Sequence, residues 1–573
     1  MTSAITSPTP LRPSPAIAAL AAYSVGRHPA PIDLALDGNE GAAPDASLLD
    51  ALTGASPELL RRYPKTDTLT GLLAARLSID PSRLLVTSGA DDALDRVCRA
   101  FLAPGREIVL PVPTFEMIAR YATIAGGTLR EVPWPEGAYP TEAVIEALDA
   151  ERTAVVAMVT PNNPTGAVAS AEDLRRLARE VATRAPGAIV LLDLAYAEFA
   201  DEDLMAVGLE LDNVVMTRTL SKAWGLAGLR VGYAVAPPEV IDWLRRAGHP
   251  YAVSAPSLRL AEACLREGRS IAPFVAQVRE ERGAIAERLA ELGISTPATQ
   301  ANYVFARTPR RAWLRDGLAG LGIGVRAWPG HRQLDDALRI TCPGDDAGLS
   351  RLLAGLSAVL APEALLFDMD GVIADVRGSY RRAIVETAAH FGVEVTVADI
   401  AAQKAAGDAN NDWVLTQRLL TAAGKDVAFD AVKARFEELY QGGLYREETL
   451  MCRRELLQSL RRERPLAIVT GRPRHDAERF LGQHDLRELF DAVICLEDGP
   501  LKPSPAPVKA ALERLGVSRA WMLGDTPDDI VAARAAGVVP LGVSAMDADP
   551  EVLYAAGAAR VMADLDDLLE ILS

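Results

Sequence analysis

The stretch RTLSKAWGLAGLR, residues 218–230, places a single lysine among hydroxyl groups and glycines. The amine of Lys222 can form an imine with an aldehyde. The hydroxyls of Thr219 and Ser221 and the guanidinium of Arg230 can bind a phosphate group. Together these groups could hold an aldehyde cofactor that carries a phosphate. A lysine in a glycine-rich segment is usually a solvated surface residue, so the stretch needs support from other parts of the chain.

Two further stretches place polar groups directly after strand-like apolar runs. AIVLLDLAYAEF ends such a run in Asp193, and a carboxylate there could keep a pyridine nitrogen protonated. TPNNPTG follows the run AVVAMV, and an asparagine amide could donate to a ring oxygen. Turn chemistry alone would also explain each stretch. Because ligand sites of α/β sheets lie at the carboxyl ends of strands, the stretches together predict one site.

VTSGADDALDRV has the form of a strand end, a small-residue turn and a helix start. The free N–H groups of a helix start can bind a phosphate. The carboxylate of Asp91 has the wrong charge for that ligand. We therefore expect its backbone to donate to the phosphate and its side chain to cap the helix.

A second set of strand ends, in the C-terminal part, carries carboxylates, a hydroxyl and a lysine. Carboxylates gathered in one crevice repel one another unless a cation neutralises them, and oxygen ligands select Mg²⁺. A metal and a lysine together would offset the charge of a transferring phosphoryl group. A lone DxD pair is more often a turn, so the prediction depends on the whole set. Its members, in ALLFDMDGV, LAIVTGRP, LKPSPAP and AWMLGDTPDDI, are Asp368, Asp370, Thr470, Lys502, Asp525 and Asp529.

Strand-like runs alternate with amphipathic stretches such as AEDLRRLAREVATRA, which predicts an α/β fold with largely parallel sheets. At 573 residues the chain exceeds what one core serves. The first 15 residues, rich in Pro, Ser and Thr, predict a flexible lead. We expect one domain over residues 16–360 and a second over 363–573, with a helical block at about 375–461 inserted between the first two strands of the second domain.

The formal net charge of −17, without long acidic runs, argues against nucleic acid or an anionic membrane as the main partner. No apolar run approaches the length of a membrane span, and the N-terminus lacks the pattern of a secretion signal. The five scattered cysteines, without a CxxC, suggest neither disulfides nor a zinc site. We therefore expect a soluble cytoplasmic protein that acts on small molecules.

Six motifs of the N-terminal part follow the order and spacing of fold-type-I aminotransferases that use pyridoxal 5'-phosphate (PLP). They are SGAD, PTFEM, PNNPTG, DLAY, RTLSKAWGLAGLRVGY and GVR…LRI. The similarity covers roughly residues 16 to 358, and the chain most resembles the histidinol-phosphate aminotransferases. The resemblance implies a large and a small domain and a homodimer.

The resemblance also implies roles for individual residues. Lys222 would bind PLP covalently and then move a proton between substrate and cofactor. Asp193 would pair with the pyridinium nitrogen, and Asn163 and Tyr196 would hold the ring hydroxyl. Phe115 would stack against the ring. The cofactor phosphate would be bound by Ala90, Asp91, Ser221 and Arg230, and by Tyr63 from the neighbouring subunit. The anionic end of the substrate would be bound by Tyr23, Arg326 and Arg339.

Four positions depart from the usual pattern of this family. GNEGAAP replaces Asn-Glu-Asn-Pro, DLAY replaces Asp-Glu-Ala-Tyr, Phe115 stands where tyrosine is common, and TCPG ends the arginine strand differently. These changes leave the cofactor chemistry intact. They leave open which amino donor, such as glutamate, and which acceptor the protein uses.

The C-terminal motifs resemble those of the haloacid-dehalogenase (HAD) superfamily of phosphatases, over about residues 363 to 573. The resemblance implies a Rossmann-like domain with a helical cap that selects the leaving group. Asp368 would attack phosphorus, and Asp370 would protonate the leaving alcohol and then activate water. Thr470 and Lys502 would bind the phosphoryl oxygens. Mg²⁺ would be coordinated by Asp368, the backbone carbonyl of Asp370 and Asp525, and Asp529 would support these ligands.

Both resemblances together predict a bifunctional enzyme of histidine biosynthesis. The first part would make histidinol phosphate from imidazole-acetol phosphate and glutamate, and the second would hydrolyse a phosphate monoester, expected to be histidinol phosphate. Three alternatives stay open: the same chemistries on another phosphorylated amino compound, a lyase similar to phosphothreonine decarboxylases, and a non-catalytic C-terminal module. The intact Asp368 and Asp525 disfavour the last of these.

Overall fold

The computed structural model describes residues 11–24, 26–266, 270–407, 410–544 and 549–572. Most of the predicted flexible lead, residues 1–10, lies outside these ranges, and Pro15–Ala18 forms one helical turn. The strand-like runs and amphipathic stretches fold as alternating strands and helices, which confirms the predicted α/β class. None of the described helices is both long and apolar enough to cross a membrane.

The largest sheet has seven strands and lies in the N-terminal part. Its central strands are buried along their whole length, as expected for a parallel sheet covered by helices on both faces. Only Gly232–Val235 runs antiparallel to its two neighbours. In sheet order the strands are Leu84–Thr87, Gly232–Val235, Val214–Thr219, Ile189–Asp193, Thr153–Val159, Glu107–Val112 and Thr128–Pro133. The helices of this part are Glu58–Arg61, Asp67–Leu77, Gly89–Phe101, Glu116–Ile124, Thr141–Glu146, Ala171–Arg184, Met205–Leu209, Pro238–Ala247 and Ala255–Arg266.

A second sheet has four strands, in the order Leu34–Leu36, Ile323–Ala327, Ala337–Thr341 and Tyr303–Arg307. Arg326 and Arg339 lie directly opposite each other on the antiparallel central pair. The helices Ala272–Glu291, Arg311–Gly320 and Asp346–Leu360 pack against this sheet and one another. The N-terminal strand thus joins a sheet otherwise formed some 270 residues later in the chain.

The C-terminal part begins directly after the helix Asp346–Leu360, since only residues 361–363 separate it from the strand Ala364–Phe367. That strand lies inside a six-stranded sheet whose pairings are all parallel. In sheet order the strands are Ala492–Ile494, Leu466–Val469, Ala364–Phe367, Ala520–Gly524, Val539–Val543 and Arg560–Met562. The helices of this sheet domain are Arg454–Glu463, Arg474–Gln483, Ala506–Leu515, Pro527–Ala535, Pro550–Ala556 and Leu568–Leu572.

A helical insertion follows the first strand of this sheet. It contains a π-helical turn, Arg377–Arg381, and the helices Arg382–His390, Val397–Ala405, Asp412–Ala422 and Phe429–Gln441. A two-stranded ribbon, Ala374–Asp375 with Thr449–Leu450, connects it to the sheet domain. The insertion therefore ends near residue 450, earlier than the sequence pattern indicated. Helical periodicity continues into Arg454–Glu463, which leads into the next strand of the sheet instead.

The two parts share one hydrophobic core. The rings of Trp313 and Trp521 meet across the junction, with centroids 4.6 Å apart. The indole nitrogen of Trp521 donates to the carbonyl of Ala358 at 2.9 Å. Arg560 donates to Asp316 at 3.0 Å. Buried rings and directed bonds of this kind hold the two parts in one arrangement.

Candidate active sites

A cavity of about 250 Å³ lies where strands of the seven-stranded sheet end and face the four-stranded sheet. It brings together residues separated by more than 300 positions in the chain. Every predicted residue of the N-terminal site except Tyr63 lines it, namely Tyr23, Ala90, Asp91, Phe115, Asn163, Asp193, Tyr196, Ser221, Lys222, Arg230, Arg326 and Arg339.

Asp193 is the last residue of its strand and its side chain is buried in the cavity wall. Its Oδ1 accepts hydrogen bonds from the hydroxyl of Thr217 at 3.0 Å and the backbone N–H of Ala195 at 3.1 Å. Burial raises the pKa of Asp193 to about 6, although both hydrogen bonds act in the opposite direction. A buried carboxylate in this setting favours a cationic partner, and a protonated pyridine nitrogen provides one.

Lys222 lies beside the aromatic ring of Tyr196, with Nζ 5.7 Å from the ring centroid. Its amine donates to the carbonyl of Gly38 at 3.1 Å. The hydroxyl of Tyr196 accepts from the side-chain amide of Asn39 at 2.9 Å. Sequence reasoning missed Asn39, although it belongs to GNEGAAP, one of the segments that depart from the family pattern. A side chain at Gly41 of the same segment would overlap the backbone of Lys222.

The groups predicted to bind a phosphate meet at the start of the helix Gly89–Phe101. The hydroxyl of Thr219 donates to Ser221 Oγ at 2.8 Å, and Arg230 lies 3.4 Å from the same oxygen. The φ of Gly89 is +74°, which favours glycine, and a Cβ there would lie 2.6 Å from a terminal nitrogen of the Arg230 guanidinium. Hydroxyl, guanidinium and helix N–H groups at one point fit the phosphate of PLP.

The expected helix cap by Asp91 is not what the structure shows. The carboxylate of Asp92, inside the helix, accepts from the backbone N–H of Ser88, the residue before the helix, at 2.9 Å. Asp91 instead pairs with Arg230, 2.9 Å away, on the face of the helix turned to the cavity. The guanidinium thus compensates the charge that appeared wrong for a phosphate site.

Arg326 and Arg339 form a buried pair of guanidinium groups that line the same cavity. Arg339 donates to Asn163 Oδ1 and to the carbonyl of Asp37, both at 2.6 Å. The ring of Trp328 lies 5.4 and 5.7 Å from the two guanidinium carbons. Burial lowers the pKa of Arg339, so an anion bound here would relieve the cost of its charge.

Some residues near the site were not predicted or lie apart from it. Arg27, Trp328 and His331 also line the cavity, but no motif singled them out. Tyr63 lies outside the cavity with 77% of its surface exposed. Its ring stacks on Tyr251, with centroids 4.4 Å apart.

The second site lies at the strand ends of the six-stranded sheet. Carboxylate oxygens of Asp368, Asp525 and Asp529 all lie within 4.8 Å of one another. The amine of Lys502 lies 2.6 Å from Asp368 and 2.5 Å from Asp529, and it also donates to the carbonyl of Val469 at 2.9 Å. Thr470, the next residue after that carbonyl, is buried beside them.

Burial dominates the electrostatics of this cluster. It raises the pKa of Asp368 above its ordinary value and that of Asp525 to about 6. Burial alone would lower the pKa of Lys502, but Asp368 and Asp529 raise it, so the amine stays charged. Three carboxylates, of which Asp368 and Asp529 are buried and Asp525 is half-buried, outnumber the one positive charge of Lys502. This set of oxygen ligands fits a hard divalent cation such as Mg²⁺.

Glycine at position 371 is required by the same cluster. Its φ is +79°, and a Cβ there would overlap a carboxylate oxygen of Asp525. The loop that follows the strand Ala364–Phe367 can therefore pass over Asp525 only without a side chain.

Asp370 lies next to this cluster and faces a different partner. Its Oδ1 accepts from Arg472 at 2.5 Å, and Arg472 also binds Glu448 at 2.9 Å. Arg472 is buried and was missed, although it belongs to the quoted stretch LAIVTGRP. Asn410 of the insertion donates to the carbonyl of Lys502 at 3.1 Å, so the insertion touches the loops of the site.

Two family models match consecutive parts of the chain. The model described as aminotransferase class I and II matches residues 36–356. The chain belongs to the aminotransferase class I and II family. The model described as haloacid dehalogenase-like hydrolase matches residues 362–537. The predicted fusion of a PLP-type aminotransferase domain with a HAD-type hydrolase domain is confirmed, and the protein is both a transferase and a hydrolase.

Several known proteins resemble the chain. The histidinol-phosphate aminotransferase of Dinoroseobacter shibae is 36% identical over 62% of this chain and 100% of its own length. The structure of histidinol-phosphate aminotransferase from Sinorhizobium meliloti in complex with pyridoxal 5'-phosphate covers 62% of this chain and 98% of its own, with 25% identity and a TM-score of 0.55. An imidazoleglycerol-phosphate dehydratase of Phytophthora nicotianae is 52% identical over 194 residues, 32% of this chain. The chain spans 43% of the length of that protein.

Proposed function

We propose that the protein performs two consecutive reactions of histidine biosynthesis. The aminotransferase domain would transfer an amino group from glutamate to imidazole-acetol phosphate, which gives histidinol phosphate. The hydrolase domain would then remove the phosphate to give histidinol. The observation that carries this proposal is the cavity that combines Lys222 and Asp193 with the arginine pair, in a chain similar to histidinol-phosphate aminotransferases over their full length.

PLP in this cavity would supply an electron sink for the substrate carbon that exchanges its amino group. Asp193 would keep the pyridine nitrogen charged, and Ser221, Arg230 and the helix start at Ala90 would hold the phosphate. Lys222 would move a proton to and from the substrate carbon. The aromatic face of Phe115 and the polar groups of Asn163 and Tyr196 would fix the ring.

The arginine pair supports a substrate with an anionic end. Arg326 and Arg339 lie in the same cavity as Lys222, on the side formed by the four-stranded sheet. A phosphate or a carboxylate bound there would leave the reacting carbon free to face the lysine. Both imidazole-acetol phosphate and glutamate carry such a group, so one pair of arginines would serve both half-reactions.

In the hydrolase domain, Asp368 would attack phosphorus and form an O–P bond as the bond to the alcohol oxygen breaks. Asp370 would give its proton to that oxygen and then take one from the water that hydrolyses the phosphorylated Asp368. Lys502 and Thr470 would hold the phosphoryl oxygens. Mg²⁺ would be bound by Asp368, the backbone carbonyl of Asp370 and Asp525, with Asp529 in support.

We further propose that the protein acts as a homodimer in the cytoplasm. The exposed Tyr63 would reach the cofactor phosphate of the partner, which agrees with its position outside its own cavity. None of the five cysteines, all of which lie in the described part of the chain, forms a disulfide, as a reducing compartment favours.

The test combines both activities in one preparation. Phosphate release from L-histidinol phosphate with Mg²⁺ should occur in the wild type, vanish in Asp368→Asn and persist in Asp426→Asn, a matched control whose carboxylate is exposed on the insertion. Glutamate formation from histidinol phosphate and 2-oxoglutarate should vanish in Lys222→Ala. A protein that hydrolyses a generic phosphate ester but not histidinol phosphate would contradict the proposed substrate of the hydrolase domain.

A further inference from the structure

His28 lies near the start of the aminotransferase domain, yet it packs against the hydrolase domain. Its Nε2 lies 3.0 Å from the carbonyl oxygen of Ala559. Its ring meets the edge of Tyr554, with centroids 5.7 Å apart. Asp316 lies 3.9 Å away, and only 6% of the histidine side chain is exposed. The imidazole is therefore a buried contact between the two domains.

The hydrogen bonds of His28 identify its tautomer. The backbone N–H of Ala30 donates to Nδ1 at 3.1 Å, so Nδ1 must carry a free lone pair. The ring hydrogen then lies on Nε2 and points to the carbonyl of Ala559. Burial lowers the pKa of His28, which agrees with a neutral ring that uses both nitrogens. Each side of the imidazole is thus fixed to a different segment of the chain.

The residues just before His28 form a wall of the aminotransferase cavity. Tyr23 and Arg27 both line it, and both are exposed on their outer side. We call Tyr23, Ser24 and Gly26–His28 the substrate arm. The contact with Ala559 and Tyr554 is therefore one residue away from a guanidinium in the cavity.

The segment after His28 leads to the same cavity. The strand Leu34–Leu36 pairs with the strand that carries Arg326, and Asp37 and Gly38 follow it into the cavity wall. This side is fixed by the sheet. The substrate arm does not pair with a strand in the described part of the chain. It lies between the carbonyl of Ala21, which accepts from Arg120 at 2.7 Å, and the imidazole held by the hydrolase domain.

We propose that the hydrolase domain sets the affinity of the aminotransferase site for its phosphorylated substrate by holding the substrate arm at His28. His28 and Tyr554 are positioning residues, and Arg27 and Tyr23 contact the anionic group of the substrate. An arm released at His28 would have to be ordered each time substrate binds, which weakens binding without changing the reacting groups. This inference rests on the proposed substrate of the aminotransferase domain.

The test measures amino transfer from histidinol phosphate to 2-oxoglutarate in an Asp368→Asn background, so that the hydrolase does not consume the substrate. Tyr554→Leu and His28→Ala should raise KM for histidinol phosphate about tenfold and leave kcat within about twofold. Tyr554→Phe keeps the ring against His28 and should behave as the parent. L-Histidinol, which lacks the phosphate, should show the same KM in every variant.

Hydrogen exchange of the amides around residues 26–30 gives a readout that needs no substrate. The amide of Ala30 is bonded to His28, so it should exchange faster in Tyr554→Leu than in Tyr554→Phe. Unchanged exchange would overturn the proposal, and so would faster exchange with an unchanged KM. If the parent protein does not use histidinol phosphate at all, the proposed function fails, and the exchange rates alone then decide whether the hydrolase domain holds the arm.

Discussion

Replacing Asp193 by asparagine should stabilise the protein freed of PLP while it abolishes amino transfer. The side chain is buried, and its pKa in the folded protein is about 6 against an ordinary value of 3.8. The unfolded chain therefore releases this proton at lower pH than the folded protein does. The contribution of this carboxyl group to the stability of the folded protein is therefore complete below pH 3.8. It is lost as the pH rises through 6.

A pKa difference of this size corresponds to about 3 kcal/mol. At about pH 7.5 the whole loss is present, so Asp193→Asn should unfold at higher urea concentration, with a gain of up to about 3 kcal/mol. The asparagine oxygen can still accept from Thr217 and Ala195, while its amide group must find an acceptor, which makes this figure an upper bound.

The assay is urea unfolding of both proteins without PLP, followed by tryptophan fluorescence at several pH values. The gain should shrink between pH 6 and 4 and be nearly absent at about pH 4, where the folded wild type also carries the proton. Addition of PLP should stabilise the wild type more than the variant, because only the carboxylate pairs with a pyridinium nitrogen. A variant less stable than wild type at about pH 7.5, or a difference independent of pH, would refute the reasoning.

Three further substitutions test other parts of the molecule. Lys222→Ala should lose the visible absorbance of bound PLP and all amino transfer but keep phosphate release; retained absorbance would show that another residue binds the cofactor. Gly371→Ala should lower phosphate release at least about tenfold, since a Cβ there overlaps Asp525. Gly537→Ala is its control, with a similar φ of +76° but open space around the added carbon, and equal losses in both would contradict the steric explanation. Trp521→Ala should destabilise by about 3–5 kcal/mol, so both activities should be lost at the same lower temperature on heating; separate losses would show that the domains unfold independently.

Much of both sites was predictable because their polar residues directly follow apolar runs that form buried strands. Asp193, Asp368 and Thr470 each lie at the carboxyl end of a buried strand, and parallel strands bring such ends to one edge of the sheet. Local pattern is enough for these residues, since a strand end needs no knowledge of distant contacts.

The partners of these residues were not predictable in the same way. Arg230 pairs with Asp91 across 139 positions, and Arg472 holds Asp370 across 102. Helical periodicity also could not mark the end of the insertion, because the next helix has the same pattern. Pairs of this kind depend on which loops the packed sheets bring together, and a single sequence does not contain that information locally.

The core that contains Trp313 and Trp521 makes the folded state of each domain depend on the other. One chain delivers both domains in equal numbers, and one network of buried side chains supports both folds. A substitution that weakens this network therefore reduces the abundance of both activities together through degradation of the whole chain. We expect the substitutions that persist at these positions to be those that both domains tolerate. The two enzymes would then share one selective constraint at the core.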